Sequence, residues 1–191
     1  MTAEPTMHTN ATDADDNRMR STRRPLIAAG TTLGIGLGGF VDGILFHQIL
    51  QLHSMLSAKY PTTGDLPAKT LATHLEVNMF WDGLFHALTW TMVVAGLAML
   101  WTAVRDRRVP LSTRTLVGSI LLGFGLFNFV EGIIDHHLLH LHHVVETPNH
   151  LVYDLMFLAS GLMLIGVGGW LIKSDGLDEA VWPRRLKSSV A

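Results

Sequence analysis

Four charge-poor apolar runs, each about 20 residues long, constrain this chain more than any other feature of its sequence. They cover residues 26–46, 77–101, 116–134 and 151–172. A helix of this length crosses a hydrocarbon core of ~30 Å. Only helices and closed barrels satisfy their backbone within lipid, and the period-two alternation of barrel strands is absent. The sequence therefore predicts an all-α integral membrane protein with four spans.

The distribution of basic residues predicts the orientation of these spans. Twelve Lys and Arg residues precede span one, separate spans two and three, or follow span four, whereas only Lys59 and Lys69 lie in the other loops. Because Lys and Arg concentrate in cytoplasmic loops, both termini are expected in the cytoplasm. The chain then divides into a disordered tail at residues 1–24, a membrane domain at 25–172 and a second tail at 173–191.

Composition excludes several classes of function. Charged residues make up only 16% of the chain, against about 25% in an average soluble domain. The absence of cysteine excludes disulfides, thiolate zinc sites, iron–sulfur clusters and thiol nucleophiles. A net charge of -2 gives no sign of a nucleic-acid partner. The partner that the sequence does predict is the lipid bilayer, while a homo-oligomer stays open.

The sequence repeats itself at an offset of 89 residues. Gly34–His53 reads GIGLGGFVDGILFHQILQLH and Gly123–His142 reads GFGLFNFVEGIIDHHLLHLH, with 11 of 20 positions identical. The partner spans align more weakly at an offset of 72, which pairs Asp82 with Asp154. The repeat predicts two helical hairpins that enter the membrane in the same direction.

We expect the two hairpins, at about residues 26–101 and 115–172, to form a four-helix bundle. Spans one and three should face each other, as the equivalent elements of the two repeats. Gly30, Gly34 and Gly38 form a stripe on span one that favours close approach of another backbone.

Acidic residues occur at one depth in all four spans. Asp42 and Glu131 lie near the outer ends of spans one and three, and Asp82 and Asp154 lie near the outer starts of spans two and four. Ten of the eleven histidines fall in the same half or in the outer loops. A buried acid costs ~2.5–3.5 kcal/mol at mid-bilayer and less nearer its edge, so this polar layer is expected to point into the bundle and share partners.

Carboxylates and imidazoles that project inward from four helices are how di-metal sites in bundles are built. Such nitrogen and oxygen donors suit copper(II), iron or zinc, whereas the lack of cysteine argues against a dedicated copper(I) site. His53, His140, His142 and His143 are expected at the rim of this site or along its entry path. The candidate ligands are Asp42, His47, His53, Asp82, His86, Glu131, Asp135, His136, His140, His142 and Asp154.

Three other interpretations of the polar layer stay open. The repeat places His47 and His136 at equivalent positions, as the two axial ligands of a haem b would require. Intramembrane acids and histidines also mark proton or ion paths, although the inner halves of the spans lack matching polar residues. The third interpretation is a non-catalytic structural or interaction protein whose polar network only fixes helix packing. No motif of nucleophilic catalysis is present, so enzymatic activity stays undetermined.

The segments GFVDGILFHQILQLH, NMFWDGLFHA and NFVEGIIDHHLLHLHH resemble a bacterial family of predicted four-span membrane proteins, domain of unknown function 2243. The resemblance covers about residues 25–172. It implies a bacterial inner-membrane protein with no settled activity. It also implies a connection with copper and with another membrane complex such as a respiratory oxidase. The distribution of Lys and Arg is what predicts that its histidine-rich end lies outside the cytoplasm. The second repeat departs from the first by having Asp135 for Phe46 and His137 for Gln48.

Overall fold

A computed structural model describes residues 10–175 of the protein, which are all-helical with no strand. Four helices are long and apolar enough to cross a membrane, which confirms the predicted fold class. Two of them, α1 and α3, continue without a break into π-helical segments. The elements are α1 (Asn10–Phe40) with its π-helical segment (Val41–Ile49), α2 (Ala68–Arg105), α3 (Thr113–Glu131) with its π-helical segment (Gly132–Leu138), and α4 (His150–Ser174).

The helices extend beyond the predicted spans. Helix α1 begins at Asn10, inside the segment expected to be a disordered tail. Once a helix is established, each added residue gains one backbone hydrogen bond, so a membrane helix can continue into water. Helix α2 likewise begins at Ala68, well before the apolar run. Most of the predicted C-terminal tail, residues 176–191, lies outside the described residues.

Helices α1 and α3 form the centre of the molecule. They pack against each other, α2 packs on α1, and α4 packs on α3. The approach of the central pair depends on two equivalent glycines. A Cβ atom at Gly34 would overlap the carbonyl group of Ile120, and one at Gly123 would overlap the carbonyl group of Thr31. The expectation that spans one and three face each other through close glycine contacts is therefore confirmed.

The outward faces of α2 and α4 are apolar. Large side chains are exposed along both helices, among them Met79, Trp90, Met156, Met163 and Trp170. An exposed apolar surface of this extent is unfavourable in water and favourable in lipid. Because α2 and α4 flank the central pair, they contribute much of the surface that faces the bilayer.

Both π-helical segments end in the same sharp reversal of the chain. Gln51 and His140, at positions related by 89 residues, adopt left-handed backbone conformations with φ of 51° and 48°. Leu50 N–H donates to Leu45 O, and the equivalent Leu139 N–H donates to Ile134 O, both at 2.8 Å. The backbone strain at such residues is of order 1–3 kcal/mol. The reversals return the chain over the helix ends, which we call the histidine-rich end of the molecule.

Candidate metal centre

Four histidines at the histidine-rich end form one compact group. His47, His53, His136 and His142 are at most 4% exposed. The rings of His53 and His142 stack at the centre, with centroids 4.6 Å apart and an interplanar angle of 4°. His47 lies 4.6 Å from His53, and His136 lies 4.9 Å from His142. Together with Asp42 and Glu131 we call these residues the buried cluster.

The π-helical segments bring a carboxylate and an imidazole to the same side of each central helix. Asp42 precedes His47 by five residues, as Glu131 precedes His136. In an α-helix of 3.6 residues per turn, side chains five residues apart point in different directions. The wider π-helical turn, with its i→i+5 hydrogen bonds, brings them closer to one face, and such turns occur frequently at functional sites.

The chain reversals supply the other two histidines, and each is held by the opposite half of the molecule. His53 Nδ1 donates to Val144 O at 3.0 Å, and His142 Nδ1 donates to Met55 O at 3.1 Å. A carbonyl group can only accept, so the proton of each neutral ring is on Nδ1 and the lone pair is on Nε2. Both histidines thus enter the centre of the cluster rather than its predicted rim.

These two imidazoles lie beyond the membrane-spanning helices, and their burial favours the neutral form of both rings. Burial, reinforced by the nearby His142, lowers the pKa of His53 to about 3. Burial likewise lowers the pKa of His142. A neutral imidazole with a free Nε2 is the form that binds metal ions.

A carboxylate from each central helix faces the Nε2 atoms. Asp42 Oδ2 lies 3.0 Å from His47 Nε2, and Asp42 Oδ1 lies 3.8 Å from His53 Nε2. In the other half, Glu131 Oε1 lies 3.4 Å from His142 Nε2. Each half therefore offers two imidazoles and one carboxylate.

Two further carboxylates, from α2 and α4, face the outer nitrogen atoms of two histidines of the cluster. Asp82 Oδ1 lies 3.0 Å from His47 Nδ1 and accepts from Met55 N–H at 2.8 Å. Asp154 Oδ1 lies 3.4 Å from His136 Nδ1 and accepts from Val144 N–H at 3.0 Å. Carboxylates and carbonyls on the far nitrogen are the partners that orient metal-binding histidines. The sequence predicted both acids as ligands. In the structure they face the Nδ1 atoms of His47 and His136, behind the inward-facing Nε2 atoms.

Several buried polar atoms of the cluster have no hydrogen-bond partner. Burying such atoms unpaired costs about 1–3 kcal/mol each, so native proteins rarely leave them grouped. The described side chains within ion-pair distance of Asp42, Asp82, Glu131 and Asp154 are all histidines. The atoms without an aligned hydrogen bond include Asp42 Oδ2, Glu131 Oε2, His136 Nδ1 and the Nε2 atoms of His47, His53, His136 and His142. Asp42 Oδ2 and His47 Nε2 lie 3.0 Å apart and are the closest pair among them.

Besides Asp82 and Asp154, three more of the predicted ligands lie outside the buried cluster. His86 turns back on its own helix, where its Nδ1 donates to Asp82 O at 2.6 Å. His140 is exposed at the chain reversal, because the helix on which it was expected to continue ends at Leu138. Asp135 is half-buried and lines a neighbouring cavity.

The arrangement also bears on the haem interpretation. A haem held by His47 and His136 would have to lie between their rings. In the structure His53 and His142 occupy that region, as ring centroids 4.6–4.9 Å apart along the series of four show. The geometry therefore favours donors converging on small ions over two axial ligands facing a macrocycle.

An apolar cavity of about 440 Å³ ends at the cluster. It lies between α1, α2 and α3, and Leu88, Leu126 and Val130 are among the residues that line it. Its polar groups are Glu131 and Asp135. Leu88 and Val130 are also at least half exposed on the apolar exterior, so the cavity borders the lipid-facing surface.

Sequence reasoning missed a third group of donors, formed by His143, His150 and Asp154, which we call the surface triad. The spacing of His150 and Asp154, four residues apart at the start of α4, was the available signal. His143 could not be added to that pair because it reaches them from a loop.

The four long apolar helices define an all-helical integral membrane protein with four spans. The chain belongs to the family described as predicted membrane protein (DUF2243), whose model matches residues 29–175. Comparison with the curated proteins finds no match, and neither does comparison with the solved structures.

Proposed function

We propose that this protein binds two transition-metal ions in the buried cluster, one in each half. The observation that carries the proposal is the set of inward-facing donors without partners. Four Nε2 atoms and two carboxylate oxygens converge there, while the Nδ1 atoms are directed at carbonyls or at second-layer carboxylates. A purely structural network would pair its polar atoms with one another.

Distances and charge both favour two ions over one. Donor atoms about 3.3 Å apart suit a tetrahedral ion with bonds of ~2.0 Å. The donors fall into two groups, His47–His53–His142 and Glu131–His136–His142, each with its atoms within 4.8 Å of one another. The groups share His142, whose one free Nε2 binds a single ion, so the ion in the first half would take Asp42, His47 and His53. Four buried carboxylates carry four negative charges when ionised, which two divalent ions would balance.

The donor chemistry narrows the choice of ion. Imidazole and carboxylate suit iron, zinc and copper(II), and no thiolate is available to favour copper(I). We propose that the protein handles such a metal, either for another membrane complex such as a respiratory oxidase or for redox chemistry of its own. The basic residues at the opposite end support a location in the inner membrane, with the cluster outside the cytoplasm.

The test is the metal content of tag-free protein purified in mild detergent. Mass spectrometry after loading with iron, zinc or copper and removal of excess should give about two ions for the buried cluster. His53→Ala/His142→Ala should lose them, because it removes the two central donors. His140→Ala is the matched control, since it removes an exposed histidine from the same loop region. Equal metal content in the intact chain and the double variant would overturn the proposal and favour a structural network.

A second candidate function is chemistry on a membrane-soluble molecule, favoured by the apolar cavity that ends at Glu131. Nitric oxide is a suitable probe, because it is apolar and binds ferrous iron. Leu126→Trp should fill part of the cavity and slow nitric oxide binding to iron-loaded protein without changing iron content. An unchanged binding rate would show that the cavity is not the access route.

A further inference from the structure

The surface triad lies beside the buried cluster at the start of α4. Asp154 Oδ2 is 2.8 Å from His143 Nδ1 and 3.3 Å from His150 Nδ1. The rings of His143 and His150 stack with centroids 3.7 Å apart. A separation of about 3.3 Å is that of donor atoms around a tetrahedral ion, whereas the 2.8 Å contact between His143 Nδ1 and Asp154 Oδ2 is a hydrogen bond in this structure. One ligand atom from each of the three residues lies within 4.8 Å of the others, which is close to the geometry of a metal site.

Unlike the buried cluster, the triad is open to solvent on one side. The side chain of Asp154 is 2% exposed, that of His143 is 13% exposed and that of His150 is 40% exposed. Three protein donors with an open side leave a coordination position for water or an incoming ligand. An ion at this place can therefore exchange with solution, which the buried donors do not allow directly.

The triad exists in only one half of the molecule. By the offsets that relate the halves, Ser54 corresponds to His143 and Asn78 corresponds to His150. Asn78 joins backbone groups instead: its side chain accepts from Leu56 N–H and donates to Tyr60 O and His74 O. Ser54 and Asn78 are sufficient for packing at the corresponding place in the first half. Helix packing alone therefore does not require two imidazoles in the second half.

Asp154 connects the triad to the buried cluster. Its Oδ2 faces His143 and His150, while its Oδ1 lies 3.4 Å from Nδ1 of buried His136. One carboxylate thus contacts both a solvent-open donor group and a donor of the enclosed site. The equivalent Asp82 contacts buried His47. The positions that correspond to the two outer histidines hold Ser54 and Asn78 in that half.

From this geometry we infer that the surface triad is a separate site for a divalent transition-metal ion, through which ions pass to the buried cluster. Water delivers the hydrated ion to His150 and His143, and Asp154 is the shared ligand at the boundary. The loading role rests on the proposed metal binding by the buried cluster, whereas the triad as a site does not. Zinc is a suitable probe because it binds imidazole and carboxylate and has no redox chemistry.

The binding experiment isolates the triad. In the His53→Ala/His142→Ala background, zinc titration should leave about one ion per chain. Adding His143→Ser/His150→Asn, the residues of the first half, should abolish that ion, whereas adding His140→Ala should not. Circular dichroism and size-exclusion chromatography establish that each variant is folded. Absence of zinc in the background, or equal zinc with and without the triad histidines, would overturn the site even if the buried cluster binds metal.

The kinetic experiment tests the loading role in the otherwise intact chain. His143→Ser/His150→Asn should slow zinc uptake by the buried cluster by about tenfold or more, with the final content of that cluster unchanged. His140→Ala should load at the rate of the intact protein. Uptake at the intact rate in the triad variant would overturn the loading role, and absence of buried zinc in the intact chain would overturn the proposed function instead.

Discussion

The two halves of the polar layer share one coordination pattern and differ in what surrounds it. In each half a carboxylate at the start of the π-helical segment or just before it lies five residues ahead of a histidine of that segment, and a chain reversal supplies a second histidine. His53 is held by the carbonyl of Val144 and His142 by that of Met55, positions again related by 89 residues. Two independent halves that converge on the same inward-facing donors indicate that these donors are what the layer is built to present.

The differences between the halves concern access. The second half has Asp135 at the cavity where the first has Phe46, and it has His143 and His150 where the first has Ser54 and Asn78. These groups lie around the buried cluster and add polar donors toward solvent and toward the cavity. The shared residues are therefore expected to control equilibrium binding, and the unshared residues to control how ions and small molecules arrive.

The largest expected effect comes from the two central histidines. Single variants His53→Ala and His142→Ala should each weaken metal binding by more than about 100-fold, because each removes a donor that the structure presents to the ions. Competition with a chelator of known affinity measures this effect. A large loss from one variant and none from the other would break the equivalence of the halves and favour a single ion.

The second-layer carboxylates should show a smaller effect and sharpen the comparison. Asp82→Asn and Asp154→Asn should lower the affinity of the buried cluster by about 10–100-fold, since each weakens the orientation of a histidine ring. Only Asp154→Asn should also weaken zinc binding to the surface triad. The same chelator competition measures both sites, and identical zinc profiles for the two variants would contradict the asymmetry.

Much of this architecture could be predicted from the sequence, and the reason lies in periodicity. The apolar runs, the repeat and the depth of Asp42, Asp82, Glu131 and Asp154 are local patterns, and they predicted the spans and the polar layer. The π-helical turns, by contrast, depend on which side chains contact one another at the centre of the molecule, and a local sequence pattern does not report such contacts. His53 was expected at the rim, whereas the chain reversal at Gln51 returns it to the centre of the cluster.

The two chain reversals could not be predicted from the sequence either. Neither Gln51 nor His140 is a residue type that strongly predicts a left-handed backbone, so the return of His142 to the centre could not be anticipated. His86 was expected beside Asp82 because the two are four residues apart. In the structure that spacing brings its Nδ1 to the backbone carbonyl of Asp82 instead of its carboxylate.

The close approach of the central helices predicts a third, structural effect. Gly34→Ala and Gly123→Ala should each destabilise the protein by about 1–3 kcal/mol or more, because the added methyl group overlaps a backbone carbonyl that cannot rotate away. Gly166→Ala is the matched control on α4, where a Cβ meets nothing within 4 Å. Thermal unfolding in detergent measures the difference. Equal stability of all three variants would contradict the α1–α3 contact.

The smallest effect is expected at the end of the molecule opposite the cluster. Burial raises the pKa of Asp175, but hydrogen bonds with Ser112 and Thr115 and the charge of Arg23 outweigh it, so the pKa is lowered overall. A lowered pKa stabilises the fold above the ordinary carboxyl pKa, and this stabilisation is lost as pH falls through the folded value.

Asp175→Asn should therefore cost about 1–2 kcal/mol at pH 7, where hydrogen bonds to a charged group are lost. The cost should shrink steadily below pH 4 as the native carboxylate becomes protonated. Denaturant unfolding of both proteins across this pH range measures the difference. A cost that stays constant with pH would show that the ionised carboxylate is not the stabilising species.

X-ray absorption spectroscopy of the metal-loaded protein tests the central claim most directly. The account predicts nitrogen and oxygen neighbours at ~2.0–2.2 Å with the outer-shell scattering of imidazole rings, and a second metal at ~3.5–4 Å. The metal–metal scattering should persist in His143→Ser/His150→Asn and be lost in His53→Ala/His142→Ala, where only the ion of the surface triad remains. An edge spectrum with oxygen neighbours alone, unchanged by the His53 and His142 substitutions, would contradict the assignment of this cluster as a metal centre.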